Sequence, residues 1–166
     1  MTSQLRRVLA GLVAITVILL ASAGPCLTKL EFEDPLTYPF DSASVSVTAG
    51  GTVHPMVIAT CANPANALYL ILWSASGTSP GIQLTPSTLL PLNLDAFSNL
   101  GIALTNSPIF AAFLGTLDAQ GRAHATFALP PSSGLASVQT HFAYLLANNV
   151  DLFAAASNPI GLLLTP

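Results

Sequence analysis

The chain has 166 residues, of which only 7% are charged and 52% are hydrophobic, and its formal net charge is −3. High hydrophobicity with little charge excludes an intrinsically disordered protein, and four basic residues are too few to bind a tract of nucleic-acid backbone. The 11 glycines and 13 prolines follow neither a G-X-Y nor a heptad period. The composition therefore excludes collagen and coiled coil and indicates one small, apolar globular domain.

The first 23 residues have the three parts of a secretory signal peptide. Arg6 and Arg7 precede an uncharged apolar segment over residues 8–20, and Ala-Ser-Ala at 21–23 suits a signal-peptidase site. The apolar segment is shorter than the roughly 18 to 20 residues that span a bilayer. We predict cleavage after Ala23, a secreted or cell-surface protein (periplasmic or extracellular) and no membrane span afterwards. An uncleaved anchor is the alternative, because uncharged sequence continues to Thr28.

Two cysteines, Cys26 and Cys61, follow the leader. In an exported chain two cysteines favour one disulfide, which would stabilise the fold by roughly 4 kcal/mol in the chain-entropy model. Lipidation of Cys26 is the competing interpretation, but Pro25 directly precedes it. A catalytic thiol is disfavoured because neither cysteine has a cationic neighbour to lower its pKa. We predict the disulfide.

Residues 24–41 combine several acidic side chains with Pro25, Pro35 and Pro39. This composition predicts an extended, solvated acidic lead-in that precedes a β-sandwich domain over 42–166. The acids Glu31, Glu33 and Asp34 could bind calcium, but they lack the D-x-D-x-D-G order of a calcium loop. A solvated acidic face is the favoured interpretation.

The remaining chain alternates short apolar segments with turn residues, which is typical of buried strands. Asp95 is placed as the N-cap of a short helix over 96–105, and Ser107-Pro108 resembles a second cap. Pro55 predicts an edge or a bulge in its strand. The predicted strands cover 44–48, 52–60, 68–73, a hairpin over 113–129 turning at Asp118 and Gly121, 139–146 and 160–165.

Seven or so strands with regular turns predict an all-β fold, a two-sheet antiparallel sandwich of immunoglobulin or fibronectin type with one short crossover helix. The signal segment would form a helix before it. Three turn motifs (GTSPG at 77–81, GTLDAQGRA at 115–123 and ASNPI at 156–160) resemble those of small exported bacterial β-sandwich domains without assigned activity. The resemblance implies the fold and export, and it carries over no functional residue.

The motif Gly77-Thr78-Ser79-Pro80-Gly81 matches the G-x-S-x-G of a hydrolase nucleophile elbow. The elbow uses the N–H of the residue after the serine, which Pro80 lacks, and no helical period follows it. Asp118 with His124 or His141 would complete a Ser-Asp-His order. Any chain with scattered Asp and His residues offers such an order, so it is weak evidence. A Gly/Ser/Pro turn is the favoured interpretation.

The other candidate residues also have ordinary structural roles. The three histidines have no zinc spacing, although His124 and His141 lie on strands that could pair. The isolated acidic residues Asp95, Asp118 and Asp151 suit a helix cap, a turn and a loop, respectively. Aromatic residues on central strands usually belong to the core and not to a sugar-binding platform. These candidates are His54, His124, His141, Asp95, Asp118, Asp151, Tyr69, Trp73 and Tyr144.

We therefore expect a non-enzymatic exported module with a structural or interaction role and without a cofactor or metal. A carbohydrate- or calcium-binding module is the alternative, and a small hydrolase using Ser79 is a weaker one. Sparse charge and strand edges without lysine predict a protein or envelope-surface partner, or self-association, and no nucleic-acid partner.

Overall fold

The computed structural model describes residues 28–34, 37–40, 42–48, 52–60 and 66–166. The predicted leader and the predicted disulfide between Cys26 and Cys61 lie outside these residues. No helix in the described part of the chain has the length and apolarity needed to cross a membrane.

The described residues form two packed β-sheets and one small hairpin. The first sheet contains β1 (Lys29–Asp34), β2 (Thr37–Phe40), β4 (Thr52–Ala59), β8 (Phe110–Ala111) and β10 (Arg122–Leu129). The second contains β3 (Ser42–Ser46), β5 (Leu68–Ser74), β9 (Leu114–Thr116), β11 (Gln139–Ala147), β12 (Ala155–Ala156) and β13 (Ile160–Thr165). The hairpin consists of β6 (Ile82–Thr85) and β7 (Thr88–Leu90), and helix α1 spans Ala96–Ala103.

The strand order confirms the predicted two-sheet sandwich. The first sheet runs β2-β1-β4-β10-β8 and the second β3-β13-β11-β5-β9, with β12 paired to β11. All pairs are antiparallel except β3 with β13. The order β1-β4-β10-β8 opposite β13-β11-β5 corresponds to the ABED and CFG sheets of an immunoglobulin-type domain. Strand β9 is an addition beside β5.

Alternate side chains from both sheets fill the core, as the period-2 geometry of strands requires. Trp73 of β5 is 2% exposed and contacts four phenylalanine rings, the nearest of them Phe97 of the helix with ring centroids 4.8 Å apart. The Tyr144 hydroxyl donates to the carbonyl of Ala59 across the sandwich at 2.9 Å. Other fully buried members are Leu30, Met56, Ile58, Phe110, Phe127, Phe142, Ile160, Leu162 and Leu164.

The prediction of a solvated lead-in over 24–41 is wrong for β1. This strand pairs with β4 from Lys29↔Ala59 to Phe32↔Met56, and Leu30 and Phe32 are buried in the core. Lys29, Glu31 and Glu33, three of the charged residues that suggested a lead-in, occupy the alternate, outward positions of the same strand. The sandwich therefore begins before residue 42.

The predicted hairpin over 113–129 is also wrong in its pairing. The turn exists: Asp118 Oδ1 accepts from the N–H groups of Gln120 and Arg122 at 2.8 Å, and Gly121 has φ +73°. However, β9 pairs with β5, whereas β10 pairs with β4 and β8. The turn thus connects the two sheets instead of two neighbours in one sheet, and this distinction depends on long-range packing.

Three smaller predictions have clear outcomes. Pro55 lies just beyond the last β1–β4 pair, where β4 has a paired neighbour only in β10, as a residue without an N–H requires. Helix α1 has the predicted cap at Asp95, completed as a capping box by Ser98. No second helix starts at Ser107-Pro108, which lies in a turn. The β6–β7 hairpin was not predicted.

Candidate functional site: an apolar groove on the second sheet

The outer faces of the two sheets differ in charge. On the first sheet, Lys29 pairs with Glu31, and Glu33 Oε2 lies 3.3 Å from His124 Nδ1. By contrast, the strands of the second sheet contain no Asp, Glu, Lys or Arg. The strands of the second sheet therefore give its outer face no carboxylate, ammonium or guanidinium group.

The β6–β7 hairpin covers one part of this outer face. Leu90 and Leu92 pack there against Leu72 of β5 and Ala143 of β11, and all four are buried. The Thr88 hydroxyl donates to the carbonyl of Phe153 at 2.9 Å, which joins the hairpin to the 148–154 loop. This small second core explains why the apolar run of β5 is buried on both faces at its carboxyl end.

The other part of the face forms an apolar groove of about 230 Å³. Strand register places Leu114, Leu70 and Leu145 in one row across β9, β5 and β11. Leu68 and Leu114 remain 43% and 39% exposed, and Leu152 is 68% exposed. The complete lining is Leu68, Tyr69, Leu70, Leu114, Leu145, Ala147, Leu152 and Phe153. The groove thus has hydrocarbon walls and is open to solvent.

The loop after β11 forms one wall of the groove. Asn148 Oδ1 accepts from the N–H groups of Val150 and Asp151, and Asp151 Oδ1 accepts from Phe153 N–H at 2.8 Å. These bonds fold the turn so that Leu152 and Phe153 reach the groove. The loop role predicted for Asp151 is confirmed. Val150, at the tip, is 96% exposed.

The GTSPG segment forms a braced turn without the geometry of a nucleophile elbow. The side chain of Asn93 donates to the carbonyls of Ser76 and Ser79 and accepts from Gly81 N–H. Strand β6 follows the segment, so no helix N-terminus faces Ser79. A Cβ at Gly81 would lie 2.6 Å from the carbonyl oxygen of Leu90, so packing requires this glycine.

The structure also separates the residues of the possible triad. His124 lies on β10 of the first sheet and His141 on β11 of the second, which overturns the idea that their strands pair. The side chain of Asp118 accepts hydrogen bonds within its own turn. The described residues include no group of three His, Cys, Asp or Glu placed to hold a metal ion.

Two histidines are partly buried, and burial lowers the pKa of both His54 and His141. His54 Nε2 and His141 Nδ1 have no hydrogen-bond partner within the described ranges. The ring of His54 packs edge-on against Phe32, with centroids 5.9 Å apart. These histidines favour the neutral form.

The aromatic residues considered for a sugar platform belong to the core. Tyr69, Trp73 and Tyr144 are 3%, 2% and 0% exposed. The Tyr69 hydroxyl donates to the carbonyl of Ala112, and burial raises the pKa of that hydroxyl. None of the three presents a face to solvent, so they cannot stack on a sugar.

The groove was not predicted from the sequence, because the unbroken apolar run over 68–73 indicates a central, buried strand. An unbroken apolar run does predict burial on both faces. The hairpin that covers Leu72 stops short of Leu68 and Leu70, and no local pattern shows where such a cover ends. The run LLANNVDLF at 145–153, which places apolar residues around a tight polar turn, is the signal that could have found it.

Comparison of the sequence with models of known protein families finds no match, and a search of the curated proteins finds none either.

Proposed function

We propose that this protein is a non-enzymatic, exported interaction module whose groove on the second sheet binds an apolar partner surface. The observation that carries the proposal is the set of exposed leucines (Leu68, Leu114 and Leu152) around a concavity with apolar walls. Leaving this surface in water is unfavourable by roughly 25 cal/mol per Å² of apolar area. Contiguous exposed apolar surface of this kind marks interaction sites.

The polar side chains support a non-enzymatic role because hydrogen bonds within the fold use them. The Asp95 carboxylate is bonded to Ser74, Ala75, Ser76 and Ser98. Asn93 braces the turn that contains Ser79. A catalytic site needs a nucleophile and a base within about 3 Å of each other and a third group to orient the base. Asp118 follows Thr116, which pairs with Leu68 at the amino end of β5, whereas His141 pairs with Ser74 at the carboxyl end of that strand.

A photo-crosslinking amino acid at position 114 tests the groove, with the same amino acid at position 53 as the control. Val53 is 68% exposed on the outer face of the first sheet, so both side chains reach solvent. Irradiation of cells that export the protein should give adducts from position 114 and not from position 53. Equal adducts from both positions, or none from position 114, would overturn the proposal.

A fluorophosphonate probe tests the non-enzymatic part. We expect no labelling of the wild-type protein. Stoichiometric labelling that Ser79→Ala abolishes would show a serine hydrolase instead.

A further inference from the structure

The two sheets end in four edge strands, and three of these are poorly suited to pair with another chain. Strand β2 contains Pro39, which has no N–H group, and β8 has only two residues. At β9, the side chain of Asn106 donates to the carbonyl of Leu114 at 2.9 Å and accepts from its N–H at 3.0 Å. A proline, a very short strand and an occupied backbone each limit the addition of a further strand.

The fourth edge strand, β3, has none of these features. It has five residues without proline or charge, and within the described part of the chain it pairs on one side only, with β13. The N–H of Val47, just after the strand, donates to the carbonyl of Thr165 at 2.9 Å. Because successive backbone groups of a strand point to opposite sides, the N–H and carbonyl groups of Ser44 and Ser46 point away from β13. No described residue bonds these groups.

The side chains of β3 show what an added strand would carry. Ala43 and Val45 are partly buried against the core, whereas Ser42 and Ser44 are exposed. A strand beside β3 would place its alternate side chains next to these two sets. Apolar side chains on one face would extend the core, and polar side chains on the other would remain in water. The edge therefore matches extended backbone with alternating apolar and polar residues, which neither a small molecule nor a closed protein surface provides.

Charge favours another protein over a second copy of this chain as the source of that strand. After leader cleavage the chain would carry seven acidic and two basic side chains, so two copies would repel each other. Strand β3 is itself uncharged, but Asp41 directly precedes it in the sequence. A segment that brings no carboxylate avoids this repulsion, so a neutral or basic segment is the better occupant.

We infer that β3 is a docking edge, at which an extended segment of another protein adds a strand to the second sheet. The segment is neutral or basic and alternates apolar and polar side chains, and it bonds the outward N–H and carbonyl groups of Ser44 and Ser46. Strand β3 and the groove lie at opposite edges of the sheet, since the groove is lined from β9, β5 and β11. The docking edge therefore goes beyond the proposed function and does not depend on it.

A library of random peptides displayed on phage tests the docking edge, with the exported protein as the target. Ser44→Pro removes one outward N–H and leaves the bonds from β3 to β13 in place. The library is first depleted on Ser44→Pro, which removes peptides that bind elsewhere, and is then selected on the wild type. Ser44→Ala is the matched control, because it removes the hydroxyl and keeps the N–H.

We expect the enriched peptides to bind the wild type and Ser44→Ala with equal affinity. They should bind Ser44→Pro at least about 10-fold more weakly, because one hydrogen bond is lost and a peptide carbonyl is left without a donor. Urea unfolding checks that Ser44→Pro is folded, and Ser46→Pro replaces it if it is not. Failure of both variants to fold would show that these N–H groups are bonded within the protein, which would overturn the inference.

Amide exchange of the wild-type protein, followed by NMR, gives a second readout that needs no variant. In the free protein the N–H groups of Ser44 and Ser46 should exchange faster than that of Val45, which faces β13. A saturating concentration of an enriched peptide should slow the exchange of Ser44 and Ser46 at least about 10-fold and leave that of Val45 unchanged.

Several results would overturn the docking edge. A library that yields no peptide after depletion on Ser44→Pro is one of them. Slow exchange of Ser44 in the free protein at low concentration would show that a segment of the chain itself covers β3. Protection that rises with protein concentration in the absence of peptide would identify a second copy as the occupant. Crosslinking at position 114 reports on the groove alone, so either proposal can fail while the other stands.

Discussion

Asp95 shows how one side chain can join two elements. Its Oδ1 accepts from Ser98 N–H at 3.0 Å and caps helix α1, while its Oδ2 accepts from Ala75 N–H at 2.9 Å and the Ser76 hydroxyl at 2.8 Å. Partial desolvation alone would raise the pKa of this carboxyl. The hydrogen bonds from Ser98, Ser76 and Ala75 outweigh it and hold the pKa below its usual value. The cap was predictable from sequence, but the second set of bonds depends on the end of β5 lying nearby.

Asp95→Asn should lower the free energy of unfolding at pH 7 by about 2 kcal/mol, because an amide nitrogen would face donors at Ala75 and Ser76. Since the folded pKa is depressed, the stabilisation is complete above the unfolded pKa of about 4 and is lost as the pH falls through the folded pKa. Urea unfolding at pH 7 and pH 3 should show the difference from wild type shrinking at the lower pH. Asp118→Asn is the control, since Oδ1 alone accepts both bonds in that turn. An equal loss in both variants would contradict the assignment.

The second residue-scale prediction concerns His54. Burial lowers its folded pKa, so the unfolded chain takes up the proton first as the pH falls below about 6.5. Unfolding free energy should therefore decrease between pH 7 and pH 5, by about 0.5 kcal/mol from this partly solvated ring. His54→Leu should reduce that slope in urea titrations. An unchanged slope in His54→Leu would exclude His54 as the cause.

At the scale of elements, β1 shows that charge density and burial can coexist in one strand. Lys29, Glu31 and Glu33 alternate with the buried residues Leu30 and Phe32. A strand places successive side chains on opposite faces, so residues 29–33 supply charged side chains to the outer face and apolar side chains to the core. Residues 29–33 contain this alternation, but the four charged residues in the segment 29–34 dominate its average composition.

A chain that starts at residue 42 should fail to unfold cooperatively, whereas one that starts at residue 24 should do so. Loss of β1 removes Leu30 and Phe32 from the core and uncovers Met56 and Ile58 of β4. Each large apolar side chain buried contributes about 1.5–3 kcal/mol, against a usual total stability of about 5–15 kcal/mol. Circular dichroism during urea unfolding measures this. A cooperative transition of the shorter chain would restore the lead-in interpretation.

A point variant separates burial from chain length. Leu30→Ala in the longer chain should cost about 3 kcal/mol, because it leaves a cavity between the sheets. Glu31→Ala, on the outward face of the same strand, should cost less than about 1 kcal/mol. Similar losses in both variants would show that β1 does not contribute through its core face.

At the scale of the whole molecule, the sheet edges lie where the chain passes from one sheet to the other. The first sheet ends at β2 and β8, and the second at β3 and β9. Strand β2 continues into β3 and β8 into β9, so each side of the sandwich is crossed by chain that passes from one sheet to the other. At β9, Asn106 also bonds both the N–H and the carbonyl of Leu114, which occupies backbone groups of an edge strand. This arrangement protects the edge at β9 without lysine on the edge strands.

The intact mass of the exported protein tests the leader and the cysteines together. Lys29 pairs directly with Ala59, and the hydroxyls of Thr28 and Thr60 are 3.3 Å apart. Cys26 precedes Thr28 by two residues and Cys61 directly follows Thr60 in the sequence. The disulfide between them stays a prediction. The mass should correspond to a chain that begins at Gly24 and lacks two hydrogens. A retained leader, a lipid adduct on Cys26 or two free thiols would each contradict one part.

The sequence by itself determined the features that depend on neighbouring residues. These include the β-sandwich class, the cap at Asp95, the left-handed turn at Gly121 and the position of Pro55 just beyond the end of the β1–β4 pairing. Each follows from backbone chemistry over a few residues, such as the N–H that proline lacks or the helix donors that a carboxylate satisfies.

Only the tertiary structure decided which strands pair and which faces remain open. The turn at Asp118 is the same whether its flanking strands share a sheet or separate into two, and the choice depends on packing against β4 and β5. Leu68 and Leu72 are both leucines of one strand, yet the β6–β7 hairpin buries Leu72, while Leu68 remains 43% exposed. Burial of hydrophobic side chains is favourable wherever they occur. The segments that cover them, however, are distant in the sequence. The groove therefore exists only in the folded protein.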